Sequence, residues 1–361
     1  MSYHQSCCYC FNKVVFGGTT SSASYPPEDN LYMHHYGDDI GTQLWAKQNT
    51  GSATFGSRVS TLVMGDDRNV YVYYGSVLRK YDPCGNVVWS SNVINDHVIR
   101  PAGPHGHIKI CNDGETLYLT TQHYGVSGQT RVHKYDTDGN LDWSVSFGKQ
   151  SSASVYPNAA NEAYVATKTN TGWPGASSVS ASVFHFDTSG NILHTFDTET
   201  DVDGEGWATT QWIELDSSGN PMVCAYRVGE SSNQLWKLTT ALAKTWGTTL
   251  GNGDYAVSIT CDDAGNVYVA SQNGYLQKFN GSGSSQWDIS TGLDHDTIGG
   301  IDIEHDKTEF VWVAAEGTSG AGTTCLKTFN DSDGSAAAIT WERRDTGQAL
   351  HAVGARCGWI A

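Results

Sequence analysis

Apolar and polar residues alternate in short runs along most of the chain, and turns rich in Asp, Asn and Gly interrupt these runs. Residues 132–143 show the pattern clearly: an alternating segment, a Gly-Asn turn, and a second short segment that ends on Trp. A period of two predicts β-strands, while Asp and Asn bond their own backbone and Gly supplies a positive φ in tight turns. The segment is therefore predicted to form a β-hairpin.

The same hairpin pattern recurs, with copies at 78–89 and 183–194 and a weaker copy at 276–287. Further strand-turn-strand patterns lie between the copies, for example at 58–74. The spacing between successive closing residues ranges from 41 to 54 residues, and four strands per period of that size predict propeller blades. The closing residues are Trp45, Trp89, Trp143, His194, Trp246, Trp287 and Trp341.

The blade count follows from how the first and last fragments of the repeat complement each other. Residues 31–45 provide an outer hairpin without inner strands, and residues 349–360 provide two inner strands without an outer hairpin. We predict an all-β fold, a seven-bladed β-propeller over residues 31–361 closed by N- and C-terminal strands, because closure removes an open sheet edge. Residues 1–30 lie outside the repeat and are predicted to form an N-terminal arm and linker.

The repeats resemble those of the quinoprotein-like (PQQ-type) β-propeller family. The resemblance is carried by Lys80-Tyr81-Asp82, Gly85-Asn86 and Trp89, and by the matching residues of the 132–143 copy. It covers roughly residues 31–361 and implies a blade rather than an activity. It also implies that the closing Trp side chains pack between blades.

Composition narrows the classes of function. The chain has 361 residues, with 40 Gly, 12 Trp and 18 Tyr, and only 16% of its residues are charged. A net charge of −17 argues against nucleic acid as a partner, because phosphate binding needs a basic surface. The sequence has no apolar run long enough to span a bilayer and no visible signal peptide, so we expect synthesis in the cytoplasm without membrane insertion.

The connections between strands differ in length. Those within the inner and outer hairpins are short turns, whereas those between second and third strands are long in several blades, and the links between blades are also long. In a propeller the long connections emerge on one face, which is where a binding site is expected. Three interpretations stay open: an aromatic surface for a sugar or peptide, a metal site of His97, His105 and His107, or ordinary polar loops. The candidate residues are His97, His105, His107, His123, Trp173, Trp207 and His295.

An acidic segment places oxygen ligands at alternate positions before a Gly, which resembles half of a calcium loop. It lacks the distal bidentate Glu of such loops, so a solvated acidic loop is the alternative. Calcium is the one cofactor that the sequence suggests. The candidate ligands are Asp197, Glu199, Asp201, Asp203 and Glu205.

The N-terminal arm contains an unusual cysteine and aromatic cluster. Zinc would prefer two separated ligand pairs, and no second cluster lies nearby in the sequence. We interpret the cluster as an apolar anchor for a protein partner, with cross-linking, metal binding or disorder as alternatives. By contrast, Cys111, Cys261 and Cys357 recur at similar points of the repeat and are predicted to be small core residues. The anchor residues are Cys7, Cys8, Tyr9, Cys10 and Phe11.

These features favour a non-catalytic structural or interaction propeller. Its arm would attach it to a larger assembly, such as a phage virion on which it serves for attachment or decoration, and its loop face would meet a partner, receptor or glycan. One alternative is a lyase or glycosidase, for which Asp294 and Asp296 are candidate acid–base residues. A quinone-dependent dehydrogenase is the other, although those enzymes resemble eight-bladed rings with a vicinal cysteine pair inside the propeller.

Overall fold

The computed structural model describes most of the chain. The described residues are 13–20, 29–35, 42–49, 59–65, 67–74, 77–93, 107–111, 113–123, 129–147, 150–169, 182–198, 207–227, 233–251, 256–271, 274–291, 302–305, 310–317, 323–344 and 348–356. Among them there is no helix long and apolar enough to cross a bilayer.

The described residues form 28 β-strands in seven four-stranded antiparallel sheets, numbered here 1 to 7. Sheet 1 contains β1 (Lys13–Thr20), β2 (Asp29–His35), β3 (Thr42–Asn49) and β28 (Gln348–Arg356). Sheets 2 to 4 contain β4 (Val59–Met64), β5 (Val70–Tyr74), β6 (Val77–Tyr81), β7 (Val87–Asn92); β8 (His107–Ile110), β9 (Thr116–His123), β10 (Gln129–Asp136), β11 (Leu141–Phe147); and β12 (Gln150–Pro157), β13 (Ala163–Thr169), β14 (Ser182–Phe186), β15 (Ile192–Asp197).

Sheets 5 to 7 follow the same plan, with consecutive strands as neighbours. They contain β16 (Trp207–Leu215), β17 (Pro221–Arg227), β18 (Asn233–Leu238), β19 (Lys244–Thr249); β20 (Ala256–Cys261), β21 (Val267–Ser271), β22 (Tyr275–Phe279), β23 (Ser285–Ser290); and β24 (Asp302–His305), β25 (Phe310–Gly317), β26 (Thr323–Asn330), β27 (Ala336–Arg344). Each of the seven closing positions predicted from the sequence lies on the last strand of its sheet, or on β3 in sheet 1.

Sheet 1 differs in composition from the expected two-plus-two arrangement. Its order is β28-β1-β2-β3, so three strands come from the start of the chain and one from the end. Residues 349–360 were expected to give two inner strands, but their described part belongs to the single long strand β28. β1 lies inside the segment predicted to be arm and linker, because its Val-Val-Phe run pairs on both sides while Gly17-Gly18 accommodates a shift in register.

The first strands of successive sheets contact one another. β4 contacts β8, β8 contacts β12, and the series continues through β16, β20 and β24. β28 contacts both β24 and β4. The strand nearest the neighbouring sheets is therefore the first of each sheet, and β28 takes that position in sheet 1.

Each sheet has two different ends. At the turn end, short turns join the first strand to the second and the third to the fourth. At the loop end lie the connections between the second and third strands and between sheets, which vary in length from residues 75–76, between β5 and β6, to residues 93–106, between β7 and β8. β1 begins at the turn end of sheet 1, because Lys13 is opposite His35 of β2, and His35 is opposite Thr42 at the start of β3.

The turns confirm the predicted Asp-Gly-Asn chemistry. The Asp82 carboxylate accepts hydrogen bonds from the backbone N–H of Cys84 at 2.9 Å and of Asn86 at 2.7 Å, and Gly85 has a φ of 80°. The same set of bonds lowers the pKa of Asp136 and Asp187 in the corresponding turns, the side-chain amide of Asn140 or Asn191 contributing most of the lowering. The hydrogen bonds of the turn thus account for Asp136 and Asn140.

The core lies between sheets. Tyr71, Leu78 and Val93 of sheet 2 pack with Leu117 and Tyr135 of sheet 3, all nearly inaccessible to solvent. The repeat therefore buries its apolar face against the neighbouring sheet rather than within its own.

Two of the three cysteines predicted as core residues behave that way. Cys111 and Cys261 are buried thiols, and burial together with the Asp113 charge raises the pKa of Cys111 to about 12. Cys357 lies outside the described residues.

Candidate functional site

The closing Trp residues connect neighbouring sheets at the turn end. Trp89 of sheet 2 donates its Nε1–H to the carbonyl oxygen of Thr137 in the outer turn of sheet 3, at 2.9 Å. Its ring lies so close to Gly139 of the same turn that an added Cβ would be 3.0 Å from Cδ2. Because Gly139 has a φ of 90°, this turn needs Gly for both space and backbone conformation. We call such a contact between sheets a seam, here seam 2/3.

Seams 3/4 and 6/7 repeat this geometry. Trp143 bonds the carbonyl of Thr188 and packs on Gly190, and Trp287 bonds the carbonyl of Asp331 and packs on Gly334. At these three seams a Lys on the adjacent strand donates to the same carbonyl, at 3.1 to 3.3 Å. These lysines are Lys80, Lys134 and Lys278.

Seam 4/5 departs from the pattern at every position. His185 stands where sheets 2, 3, 5 and 6 have Lys, and His194, directly opposite His185, stands where they have Trp. The turn of sheet 5 has Leu242 in place of Gly, with a φ of 64° and only 3% exposure. The bond to the turn carbonyl is made instead by Tyr164, whose hydroxyl donates to Thr240 at 2.9 Å.

His185 is a buried histidine of this seam. Its ring stacks on Tyr164 at 4.1 Å between centroids and 14° between planes, and His194 lies on it at 5.7 Å and 25°. Its Nε2 is 3.0 Å from Oε2 of Glu162, which also accepts a hydrogen bond from Asn158. Burial lowers the pKa of His185, and the Glu162 carboxylate opposes part of that effect.

The turn end is thus used for contacts between sheets. Three predicted site residues map to the opposite, loop end, since His107 begins β8, His123 ends β9 and Trp207 begins β16. The sequence had placed all three in loops. They belong to strands because the β-ladder extends by a few residues beyond the predicted limits, as with His123 opposite Gln129.

The other loop-face candidates lie outside the described residues. They are His97, His105, Trp173 and His295, together with the carboxylates of Asp294 and Asp296. The arm residues Cys7, Cys8, Tyr9, Cys10 and Phe11 also lie outside them.

The calcium prediction rests on a segment of which one residue is described. Asp197 is the last residue of β15, whereas Glu199, Asp201, Asp203 and Glu205 lie outside the described residues. Within the described part of the chain, no group of three or more His, Cys, Asp or Glu side chains is arranged to hold a metal ion.

The interpretation of the sequence missed the cluster formed by Glu162, Tyr164, His185 and His194. A signal for it was present: His194 was recognised as a substitute for the closing Trp, and His185 occupies the Lys position of the same motif. The accompanying change from Gly to Leu242 in the next turn would have completed the signal. Only the packing of sheet 4 on sheet 5 shows that these positions belong together.

Solved structures with a similar fold are β-propellers. The C-terminal WD40 domain of Sif2 has a TM-score of 0.56 at 11% identity, with 95% of this chain and 82% of that chain covered. The Dos1 propeller has a TM-score of 0.57 at 12% identity, with 88% and 79% covered. Streptogramin B lyase has a TM-score of 0.58 at 12% identity, with 84% and 89% covered. No protein-family model matches the sequence, and a comparison with curated proteins finds no relative.

At these identities the likeness concerns the fold alone. The chain is an all-β protein of four-stranded antiparallel sheets with the β-propeller fold.

Proposed function

We propose that this chain is a non-catalytic interaction protein, a seven-bladed propeller with quinoprotein-like repeats that belongs to a larger assembly. Its N-terminal segment would attach it to that assembly, and its loop end would bind a protein partner, a receptor or a glycan. A virion, for which it would serve as an attachment or decoration protein, is the assembly that we favour.

The proposed blade count and closure have two supports. The described strands group into seven sheets, one of which combines β28 with β1, β2 and β3. β28 contacts the first strands on both sides, β24 and β4. A ring completed in this way exposes fewer unpaired strand edges than an open row of sheets.

The observation that carries the functional proposal is the difference between the two ends of the sheets. At the turn end, side chains such as Trp89 and Lys80 are committed to the neighbouring sheet. At the loop end, the connections have unequal lengths: residues 124–128 join β9 to β10, and residues 170–181 join β13 to β14. A scaffold with one uniform end and one variable end is typical of binding proteins, in which loops carry the recognition.

The position of β1 supports the proposed attachment. β1 begins at the turn end of sheet 1, so the chain enters this strand from that end. Attachment through the residues that precede β1 would therefore leave the loop end accessible. Apolar and aromatic residues such as Tyr9 and Phe11 are suited to an apolar pocket of an assembly partner.

The test separates attachment from recognition. The native source is fractionated by sedimentation, and the full chain is compared with a chain that starts at residue 12. We expect the full chain to co-sediment with a large particle and the shortened chain to remain a folded monomer by light scattering and circular dichroism. A full chain that occurs only as a free monomer in its source would refute the proposal.

Recognition is tested with a glycan array and with Trp207→Ala and Trp173→Ala as loop-end variants. Asp138→Ala, in a turn of sheet 3, is the matched control at the opposite end. Turnover in lyase, glycosidase or dye-linked oxidation assays by the pure chain, lost in Asp294→Asn or Asp296→Asn, would replace the proposed function by the enzymatic alternative.

A further inference from the structure

Seam 4/5 contains two imidazoles, of His185 and His194, at positions where seams 2/3, 3/4 and 6/7 contain Lys and Trp. Imidazole is the side chain whose charge ordinarily changes near neutral pH, whereas an indole N–H does not titrate. The chemistry of this one seam therefore depends on pH in a range where that of the Trp–Gly seams does not.

The hydrogen-bond geometry defines the state of His185 at neutral pH. A carboxylate only accepts hydrogen bonds, so Nε2 of His185 carries the proton and donates it to Glu162. Nδ1 is then unprotonated, buried, and without a hydrogen-bond partner among the described residues. Protonation of His185 would add a buried N–H at Nδ1 that has no acceptor there, which is costly.

The stacking adds a second cost. His194 lies over the same face of the seam and is exposed. A positive charge on its ring would lie 5.7 Å from the His185 ring and would disfavour protonation of His185. Glu162 and the turn carboxylate of Asp187 favour protonation of His185, whereas burial and His194 oppose it. The opposing effects dominate, since the pKa of His185 is lowered overall.

The turn of sheet 5 offers no charged side chain that would stabilise a protonated His185. The turn of sheet 5 presents Thr240 and Leu242 to this cluster, and neither side chain titrates. Tyr164, against which His185 stacks, makes the bond to Thr240 and belongs to the same buried cluster as Leu242. A displacement of the His185 ring would therefore disturb the residue that holds sheet 5.

We propose that seam 4/5 is a pH-sensitive joint: acidification to about pH 5 loosens the turn of sheet 5 from sheet 4, while the Trp–Gly seams stay closed. The direction of the pH effect follows from the linkage between proton binding and folding. A histidine whose pKa is lowered by folding stabilises the folded seam above its ordinary pKa of about 6.5, and this contribution is lost as the pH falls.

The first experiment is hydrogen–deuterium exchange of the full chain at pH 7.5 and pH 5.0, corrected for the intrinsic pH dependence of exchange. We expect amides of residues 239–243 and of β13 to exchange at least about tenfold faster at the lower pH, because local opening governs their exchange. The matched control segments are the turns at 280–284 and 331–335, for which we expect less than about a threefold change. Equal changes in all three turns would overturn the proposal.

Two variants sharpen this test. His194→Gln removes the imidazole at an exposed position, and it should reduce the acid effect at residues 239–243 severalfold. Replacing His185 by Lys, His194 by Trp and Leu242 by Gly together rebuilds the chemistry of seam 3/4 and should abolish the effect. Should the triple variant fail to fold, NMR titration of the two imidazoles in the wild-type chain decides: the proposal falls if His185 titrates at or above its ordinary pKa.

Discussion

Seams 3/4 and 4/5 both fill the space between two sheets, but they place the large side chain on opposite sides of the seam. At seam 3/4 the large Trp143 of one sheet meets Gly190 of the next, and an added Cβ on that Gly would lie 2.9 Å from the ring. At seam 4/5 the smaller His194 replaces Trp, and the turn it faces carries Leu242, which fills the core with Tyr164 and Phe196. The comparison teaches that the conserved quantity in this repeat is the filled volume between sheets, not the Trp itself.

Among the substitutions that test this comparison, those at Leu242 are expected to change the free energy of unfolding most. Leu242→Ala removes a buried side chain and should reduce the free energy of unfolding by about 2–5 kcal/mol. Leu242→Gly loses the same side chain but relieves a backbone with φ of 64°, so it should be more stable than the Ala variant by about 1 kcal/mol. Urea denaturation at pH 7.5 measures both.

Ala variants are usually more stable than Gly variants, so a Gly variant that is the more stable of the two would be a discriminating result. An Ala variant at least as stable as the Gly variant would show that the left-handed backbone of Leu242 carries no strain. Adding His194→Trp to Leu242→Gly provides the control, since the two substitutions together should recover more stability than either one predicts.

A second histidine, His133, is expected to make another part of the molecule sensitive to acid. His133 of β10 is buried and lies 2.9 Å through Nε2 from Oγ1 of Thr121. Burial, assisted by the charge of Arg131, lowers the pKa of His133 to about 4. Because the unfolded chain binds the proton more readily, the stability contribution is complete above about pH 6.5 and falls by up to about 3 kcal/mol toward pH 4.

The measurement compares wild-type and His133→Gln unfolding free energies across this pH range. The difference between the two proteins should shrink as the pH falls. A constant difference from pH 7 to pH 4 would contradict the assigned pKa. Hydrogen exchange localises the effect, which should centre on sheet 3 and leave residues 239–243 unchanged.

Gly139→Ala tests the close contact between Gly and Trp at seam 2/3. The new Cβ would lie 3.0 Å from Trp89 and require a φ of 90°, so we expect a loss of about 2–4 kcal/mol from overpacking and backbone strain together. Gly219→Ala is the matched control, because Gly219 has a φ of 78° with nothing within 4 Å of the added Cβ. It should lose about 1–2 kcal/mol from the backbone alone. Equal losses would show that the Trp contact is unimportant.

Trp143→Phe has the smallest expected effect. It keeps most of the ring but removes the N–H donor to the carbonyl of Thr188, which should cost about 1 kcal/mol. Trp246→Phe is the control, because Trp246 packs on Gly283 but makes no indole hydrogen bond among the described residues. Thermal unfolding of both variants at neutral pH measures the difference, and a larger loss for Trp246→Phe would contradict the role of the hydrogen bond.

Local patterns account for most of what could be predicted. The strand at Val70–Tyr74 has the predicted limits, and each closing residue lies on the predicted strand. Sheet 1 could not be predicted in the same way. Gly17-Gly18 is typical of a linker, and only pairing with β2 and with β28, the latter more than 300 residues away, makes the segment a strand.

The amino-acid sequence alone determined the hairpins of this protein, because Asp82 and Asn86, or Asp136 and Asn140, bond within a few residues of each other. It also determined the repeat, because the hairpin motif recurs at similar intervals along the sequence. The tertiary structure alone decided the partners of β1 and the joint at seam 4/5. Glu162, His185 and Thr240 are far apart in the chain, and only strand register and the packing of one sheet on the next bring them into contact.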